Sequence, residues 1–527
     1  MNKNNELDFS LLVEYVSEEI NNILRTNIRE ISMKESELKI LREKKSELRI
    51  ALKNCGIGDV NAKSFVKDII RDILENSNTL SQESIFELIP FDNIFKLTSL
   101  DKFEIILYCF IKEYKNMAFE HFMEECNIMD KIKDDSRVNK VTSWDVDEVY
   151  QNLFIRLSPK DKMNIITQRV YSLYKGLGVI DDIRDMKIEG ISGGVSGGDG
   201  AYNSIWVFYK GNTIHLDFLD FKSERELERI CMNIYRFGNP GQLSKAKGYI
   251  VNEMKDHSRV VVVRPPFSES FAFFVRKFDT IEKKNIQELL TDSGHDRIVD
   301  ILRWLIQGCR VCGITGSQGS GKTTLLMSII AFINPTFNLR IQELSFELNL
   351  RQVYPERNIL SFKETDYVSG QEGLDIQKKT DGVVNILGEV ATSPVAAWMV
   401  QMSQTGSLFT LFTHHAKTTD NLMKYMRNSL LSCNVFNSEV VALEQVAESI
   451  NFDIHMEKDI HGHRYIERIT EIIPDKVHGY VLNDIARFEQ GSYHIVGNFS
   501  VHSANEMSRF FTEAQKEVFY EKYCLQT

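Results

Sequence analysis

Long apolar runs are missing from this chain. No stretch reaches the roughly 18 residues that a membrane-spanning helix needs. The longest, VVVV at 260–263 and the interrupted FEIILYCFI at 103–111, have the size of core strands or core helices. The opening MNKNNELDFS lacks the basic and apolar segments of a secretory leader, so the chain is expected to stay in the cytoplasm. Cysteine is sparse too: eight in 527 residues, mostly scattered, which fits reduced thiols rather than a disulfide framework. One pair, Cys309 and Cys312, forms a CxxC, but no second pair completes a zinc site. It sits in GCRVCGIT, an apolar run entering a glycine loop, so both cysteines read as small buried strand residues.

Positive charge is also short. The formal net charge is −11, which weighs against bulk electrostatic binding of nucleic acid, and no stripe of interleaved aromatic and basic residues offsets it. What remains, 43% hydrophobic and 26% charged residues, is the composition of a globular protein able to bury large cores. At this length roughly three or four domains are expected.

Residues 1–140 read as a helical N-terminal extension. Ile31, Leu38, Leu41, Leu48 and Leu52 follow heptad-like spacing through a Lys/Glu-dense segment, with Lys34 and Lys45 at seam positions. A helical hairpin arm or a short coiled coil satisfies that pattern. The polar stretch DKIKDDSRVNK (130–140) reads as a linker. Residues 141–285 read as an α+β domain: strands in IWVFYKG, TIHLDFLDF, RVVVVRPP and SFAFFVRKF, with a helix in SERELERICMNIYRFG. The glycine-rich GGVSGGDG within 186–205 lacks a GK[ST] ending and reads as a hairpin tip. From 286 to 527 helix and strand alternate. HDRIVDILRWLIQ is an amphipathic helix, RVCGITG a buried strand, and TTLLMSIIAFI a helix stopped at Asn334-Pro335. LRIQEL, VVNILGEV and SLFTLFTH are further apolar strands, and RYIERITEII and VLNDIARFEQG add antiparallel-type strands after a helix in EVVALEQVAESI. Such alternation predicts a mostly parallel sheet flanked by helices.

The strongest local signal is Gly316-Ser317-Gln318-Gly319-Ser320-Gly321-Lys322-Thr323, followed by Thr324. It fits GxxxxGK[ST] between a buried strand and a helix. The loop N–H groups and the helix N-terminus face phosphates, and the glycines let a ligand approach the backbone. Lys322 would neutralise the β- and γ-phosphates of ATP, and the Thr323 hydroxyl would ligate Mg²⁺. Such a loop needs an acid at a neighbouring strand end. Glu389 closes VVNILGEV and could hold or deprotonate the attacking water. Glu343 and Glu347, in LRIQELSFELNL, could join the outer shell of the metal.

In this order, the elements from about 145 to about 490 resemble the secretion ATPases of the type II/type IV superfamily, closest to the CpaF-like branch. The resemblance rests on DHSRVVVVRPP…FAFFVRKF, the phosphate loop, the acidic box, the GE-ended strand and Thr413-His414-His415-Ala416. It implies a RecA-like ATPase core behind an α+β N-terminal domain. It gives Glu389 the role of catalytic glutamate, His415 a contact to the γ-phosphate, and Glu343, with Thr323, a hold on Mg²⁺ partly through water. Glu347 joins the acidic box, and Arg259 and Arg276 approach the phosphates from the N-terminal domain. His414 takes a position that is usually apolar.

The implied activity is Mg-dependent ATP hydrolysis by a motor that powers pilus assembly or protein export. Six copies would form a ring at the inner face of the membrane, working on an integral membrane platform protein, without direct contact to nucleic acid. A nucleotide-gated scaffold with little hydrolysis and a motor for conjugative DNA transfer are the alternatives. The family's arginine two residues after the glutamate is Ala391 here, its arginine-rich stretch before the glutamate strand is IQKKTDG with Lys378, Lys379 and Asp381, and its glycine-histidine turn is TGSLFT.

Overall fold

The computed structural model describes residues 7–25, 35–77, 79–134, 139–196, 200–278, 285–365, 368–405, 407–459 and 462–524. The chain divides into two units, 1–280 and 281–527.

The first unit joins helices to a seven-stranded sheet. Its strands are β1 (Lys140–Val141), β2 (Gly190–Gly193), β3 (Ile205–Tyr209), β4 (Asn212–Leu216), β5 (Tyr249–Glu253), β6 (Arg259–Val263) and β7 (Ala272–Arg276), in the order β1-β4-β3-β2-β7-β6-β5. All pairs are antiparallel except β1 with β4. β2 and β3 are neighbours as a hairpin requires; residues 197–199 of the glycine-rich stretch lie outside the described residues.

Two apolar cores hold this unit together. In one, Phe103, Phe119 and Phe122 from helices Ser99–Tyr114 and Ala118–Glu125 pack with Ile205, Val207 and Val260 of the sheet. In the other, Val16, Val66, Ile70, Leu74, Ile166 and Val170 converge from helices Phe9–Arg25, Val60–Glu75 and Pro159–Tyr174. Residues on both sides of 140 therefore share both cores. Burial of these side chains removes them from water at about 25 cal/mol per Å². Of the heptad-like positions, Ile31 and Lys34 lie outside the described residues. Helix Glu35–Asn54 carries the rest and packs on helix Val60–Glu75, with Lys45 and Leu48 buried. The polar stretch 130–140 begins inside helix Ile128–Asp134 and ends in β1, and 135–138 lie outside the described residues.

The second unit contains a nine-stranded sheet. The strands are β8 (Cys312–Gly316), β9 (Leu339–Glu343), β10 (Ile359–Lys363), β11 (Val384–Leu387), β12 (Phe409–His414), β13 (Phe452–Lys458), β14 (Arg464–Asp475), β15 (Gly479–Glu489) and β16 (Ser492–Ile495). Their order is β10-β9-β11-β12-β8-β13-β14-β15-β16. The first six in that order run parallel and the last three antiparallel. This is the mostly parallel, helix-flanked sheet with antiparallel C-terminal strands that the alternation of patterns predicts. β8, β9, β11 and β12 are buried along their whole length, which is why they read as near-continuous apolar runs. The edge strand β10 (ILSFK) lacks such a run and was not visible in the pattern. Cys309 and Cys312 are buried, and burial pushes their thiols up to about 11 and about 12, so both are small core residues.

One buried ionic cluster tests the packing of the first unit. Lys63, 7% exposed, reaches Asp181 Oδ2 at 2.5 Å and Asp182 and Asp185 at 2.8 Å each. Removing one partner of a buried network leaves uncompensated charge. Lys63→Met should lower stability in denaturant unfolding by about 3–5 kcal/mol. Lys140→Met, which breaks an exposed pair with Asp217, should cost less than about 1 kcal/mol. Equal effects of the two would refute the claim.

Candidate functional site

The loop that follows β8 is shaped by glycine. Gly316 has φ of 138°, and a Cβ there would stand 2.1 Å from the Met456 carbonyl on β13, so no larger residue fits. Gly321 has φ of 96° and delivers the chain into helix Lys322–Ile329. Thr323 and Thr324 sit in the first turn of that helix, where unpaired N–H groups point outward.

Lys322 is 6% exposed. Its ammonium donates to the carbonyls of Gly316 at 2.9 Å and Ser317 at 2.7 Å, and lies 3.3 Å from His415 Nδ1. His415 Nε2 in turn lies 3.3 Å from Glu389 Oε1. Lysine, histidine and glutamate, which are 93 residues apart at the first link, thus form one line. The strand order is the cause: β12, which ends just before His415, lies between β8 and β11, so the tips of three adjacent parallel strands carry the three side chains. The Glu389 segment is held from both sides. Gly388 N–H donates to Gln342 O at 2.8 Å, and Val390 N–H donates to Thr413 O at 2.9 Å.

Glu343 and Glu347 meet at the end of β9. Glu343 is 4% exposed, and its Oε1 accepts from the backbone N–H of Glu347 at 2.9 Å and of Leu348 at 2.8 Å. Burial pushes its carboxyl up to about 7 against those two donors. Oε2 is buried and takes no hydrogen bond. An orphaned acid oxygen of this kind suits an outer-shell partner of a hydrated hard cation, and the Thr323 hydroxyl suits a direct one.

His414 and His415 have opposite fates. His414 is 7% exposed, with its ring centroid 4.4 Å from that of Tyr425 and its Nδ1 buried without a hydrogen bond. Burial, then the charges of His415 and Lys322, bring it down to about 4. It fills an aromatic position in the core. Arg259 and Arg276 belong to the first unit, directly opposite one another on β6 and β7, with their guanidinium groups 5.7 and 6.0 Å from the Phe278 ring centroid. Of the lysines that replace the arginine-rich stretch, Lys378 pairs with Asp375 at 3.2 Å and lies over the Trp398 ring.

Several residues near the loop escaped the reading of the sequence. Asp453 on β13, fully buried, accepts from Thr315 Oγ1 at 2.5 Å and from Thr419 Oγ1 at 2.6 Å. It therefore clamps the end of β8 to the start of helix Thr419–Ser432, the segment directly after His415. His455 Nδ1 lies 2.8 Å from the same Thr315 hydroxyl. Arg464 Nε donates to Gly319 O at 2.9 Å, so β14 touches the loop itself. The available signal was an acid inside the apolar run FDIHM, one strand away from the loop in space but 138 residues away in sequence.

The His414 environment has a consequence for stability. Above its ordinary value of 6.5 the ring is neutral in folded and unfolded chains alike, and full stability is present. Between 6.5 and about 4 only the unfolded chain takes the proton, so stability falls with pH, by up to ~3 kcal/mol. His414→Phe should remove that fall, read as melting temperature against pH; a slope unchanged by the substitution would overturn the assignment.

Residues 261–447 match the family model described as type II/IV secretion system protein. No curated protein matches the chain in sequence. Among the solved structures similar over part of it are three secretion or pilus ATPases. The VirB11 ATPase of the Brucella suis type IV secretion system, in complex with sulphate, is 17% identical, covering 54% of this chain and 89% of that one with a TM-score of 0.30. The Legionella pneumophila ATPase DotB is 15% identical, covering 64% and 85%, with a TM-score of 0.39. The pilus retraction motor PilT with bound ADP is 16% identical, covering 66% and 90%, with a TM-score of 0.40. The matched stretch encloses the glycine loop, Glu343, Glu389 and His415, and over it this chain is similar to the type II/IV secretion system protein family.

Proposed function

We propose that this protein is an ATP-hydrolysing motor of a pilus-assembly or protein-export apparatus. The observation that carries the reading is the line Lys322–His415–Glu389 at the mouth of the glycine loop. In the absence of ligand the lysine ammonium rests on two loop carbonyls, which are neutral acceptors. Phosphate oxygens carry full charge and make stronger hydrogen bonds to ammonium, so a triphosphate entering the loop draws Lys322 away from Gly316 and Ser317. His415 then loses its cationic neighbour, and in its doubly protonated form it would donate from Nδ1 to the γ-phosphate while Nε2–H stays with Glu389. Glu389, tied to the other ring nitrogen, is placed to orient water for in-line attack.

Mg²⁺, when bound with the nucleotide, supplies charge neutralisation between the β- and γ-phosphates. The Thr323 hydroxyl would hold it directly and Glu343 through water. Glu347 steadies the Glu343 loop, and Arg259 and Arg276 of the first unit would add positive charge as the phosphoryl group transfers. Residues 316–324 cradle the phosphates. By family, six copies in a ring at the cytoplasmic face of the membrane would pass the motion of hydrolysis to an integral platform protein, with the CpaF-like pilus systems as the nearest template. Among the described residues no helix is long and apolar enough to cross a membrane, so the work on the membrane falls to a partner. Direct binding of nucleic acid is not part of this reading, because the charge balance is acidic.

Three variants test it. Lys322→Ala should abolish binding of a fluorescent ATP analogue while circular dichroism stays that of the parent. Glu389→Gln should keep binding and lower phosphate release by roughly 10²–10⁴-fold. His415→Ala should keep binding and slow release as well. Phosphate release that is the same in all three variants and the parent would sink the motor, and a strict monomer by light scattering with ATP would sink the ring.

A further inference from the structure

The first unit contains a cavity of about 290 Å³ between helices Val60–Glu75, Ser99–Tyr114 and Pro159–Tyr174. An apolar cavity of about 150 Å³ suffices to hold benzene, so there is room here for a ring-sized body with a polar group attached. Phe103, Leu107, Ile165 and Val179 give it an apolar wall, and Glu104, Thr167, Gln168 and Asp182 give it a polar one.

Carboxylates outnumber cations behind the polar wall. Arg169 Nη2 lies 2.7 Å from Asp101 and 2.7 Å from Glu104, so one guanidinium serves two acids. Lys63 is shared by Asp181, Asp182 and Asp185. The two cations that line the cavity itself are already engaged. Lys67 feels the same three aspartates through space, and Arg71 pairs with Asp68 at 2.8 Å.

The polar wall also has more acceptors than donors. Both contacts of Glu104 to Arg169 use Oε2, which leaves Oε1 unbonded among the described residues. Gln168 Nε2 donates to Asp181 at 3.0 Å, while its Oε1 is buried with no hydrogen bond. Thr167 is 2% exposed, and its hydroxyl has no partner either. A buried polar atom left unpaired is costly. Burial also pushes the Glu104 carboxyl up, against the pull of Arg169. A positively charged donor at this wall would relieve both deficits.

We propose that this cavity binds a small organic cation, a ring-sized apolar body bearing one primary ammonium, with the ammonium on the polar wall at Glu104 and the body against Phe103, Leu107, Ile165 and Val179. Glu104 supplies the counter-charge, and Gln168 and Thr167 offer acceptors to an ammonium that has three donors. The site is separate from the glycine loop and does not rest on the motor reading. It gives the helical first unit a ligand of its own.

The probes are benzylamine, its neutral counterpart benzyl alcohol and the anion phenylacetate, each titrated into the full chain. Benzylamine should bind at one per chain, and the other two at least about tenfold more weakly. Glu104→Gln keeps the shape of the side chain and removes its charge. It should abolish the preference for benzylamine while benzyl alcohol binds as before; a change in folding alone would alter both probes together. On the unsubstituted chain, methyl resonances of Leu107, Ile165 and Val179 should shift with benzylamine. Absence of benzylamine binding, equal binding of either other probe, a preference that survives Glu104→Gln, or unmoved methyl resonances would each overturn the proposal.

Discussion

A buried ammonium held by its own loop is the interaction on which the second unit is organised. Lys322 is nearly free of solvent and rests on the carbonyls of Gly316 and Ser317, beside His415. A cation in that position needs oxygens around it, and the loop supplies carbonyls because its glycines let the backbone turn inward. On the proposed function the same geometry is a poised state: the acceptors that satisfy the lysine are weaker than the oxygens of a triphosphate. Strand order brings His415 to this group and Glu389 to His415.

The brace behind the loop explains how so small a device stays in register. β8 is flanked by β12 on one side and β13 on the other. Asp453 joins Thr315, the last residue before the Gly316 turn's close approach to β13, to Thr419, which opens the helix after His415. Burial raises the pKa of Asp453, while two hydroxyl donors act against that. Arg464 holds the far rim of the loop at Gly319. These contacts connect the antiparallel strands to the loop, so the C-terminal part of the sheet is mechanically joined to the glycine loop rather than appended to it.

The first unit follows a different logic. Its helices do not form an independent bundle before the sheet; Phe103 and Phe122 share a core with Ile205 and Val207, and helix Pro159–Tyr174 shares another with Val16 and Val66. Helical periodicity shows that a face is buried but not which partner buries it. The linker reading at 130–140 came from polarity, and part of that stretch lies in helix Ile128–Asp134.

Local patterns in the chain determined the glycine loop, the strand before it and the helix after it, because close backbone approach and a buried ammonium require particular residues at particular spacing. They also determined that Glu389 and His415 lie at strand ends, since an apolar run terminated by a polar residue has few other meanings in a parallel sheet. Tertiary structure alone decided that His415 faces the lysine while His414 turns to Tyr425, and that Asp453 and Arg464 reach the loop. Each of these depends on which strand or helix lies beside which, across tens to hundreds of residues, and strand order is a property of the packed sheet rather than of any segment within it.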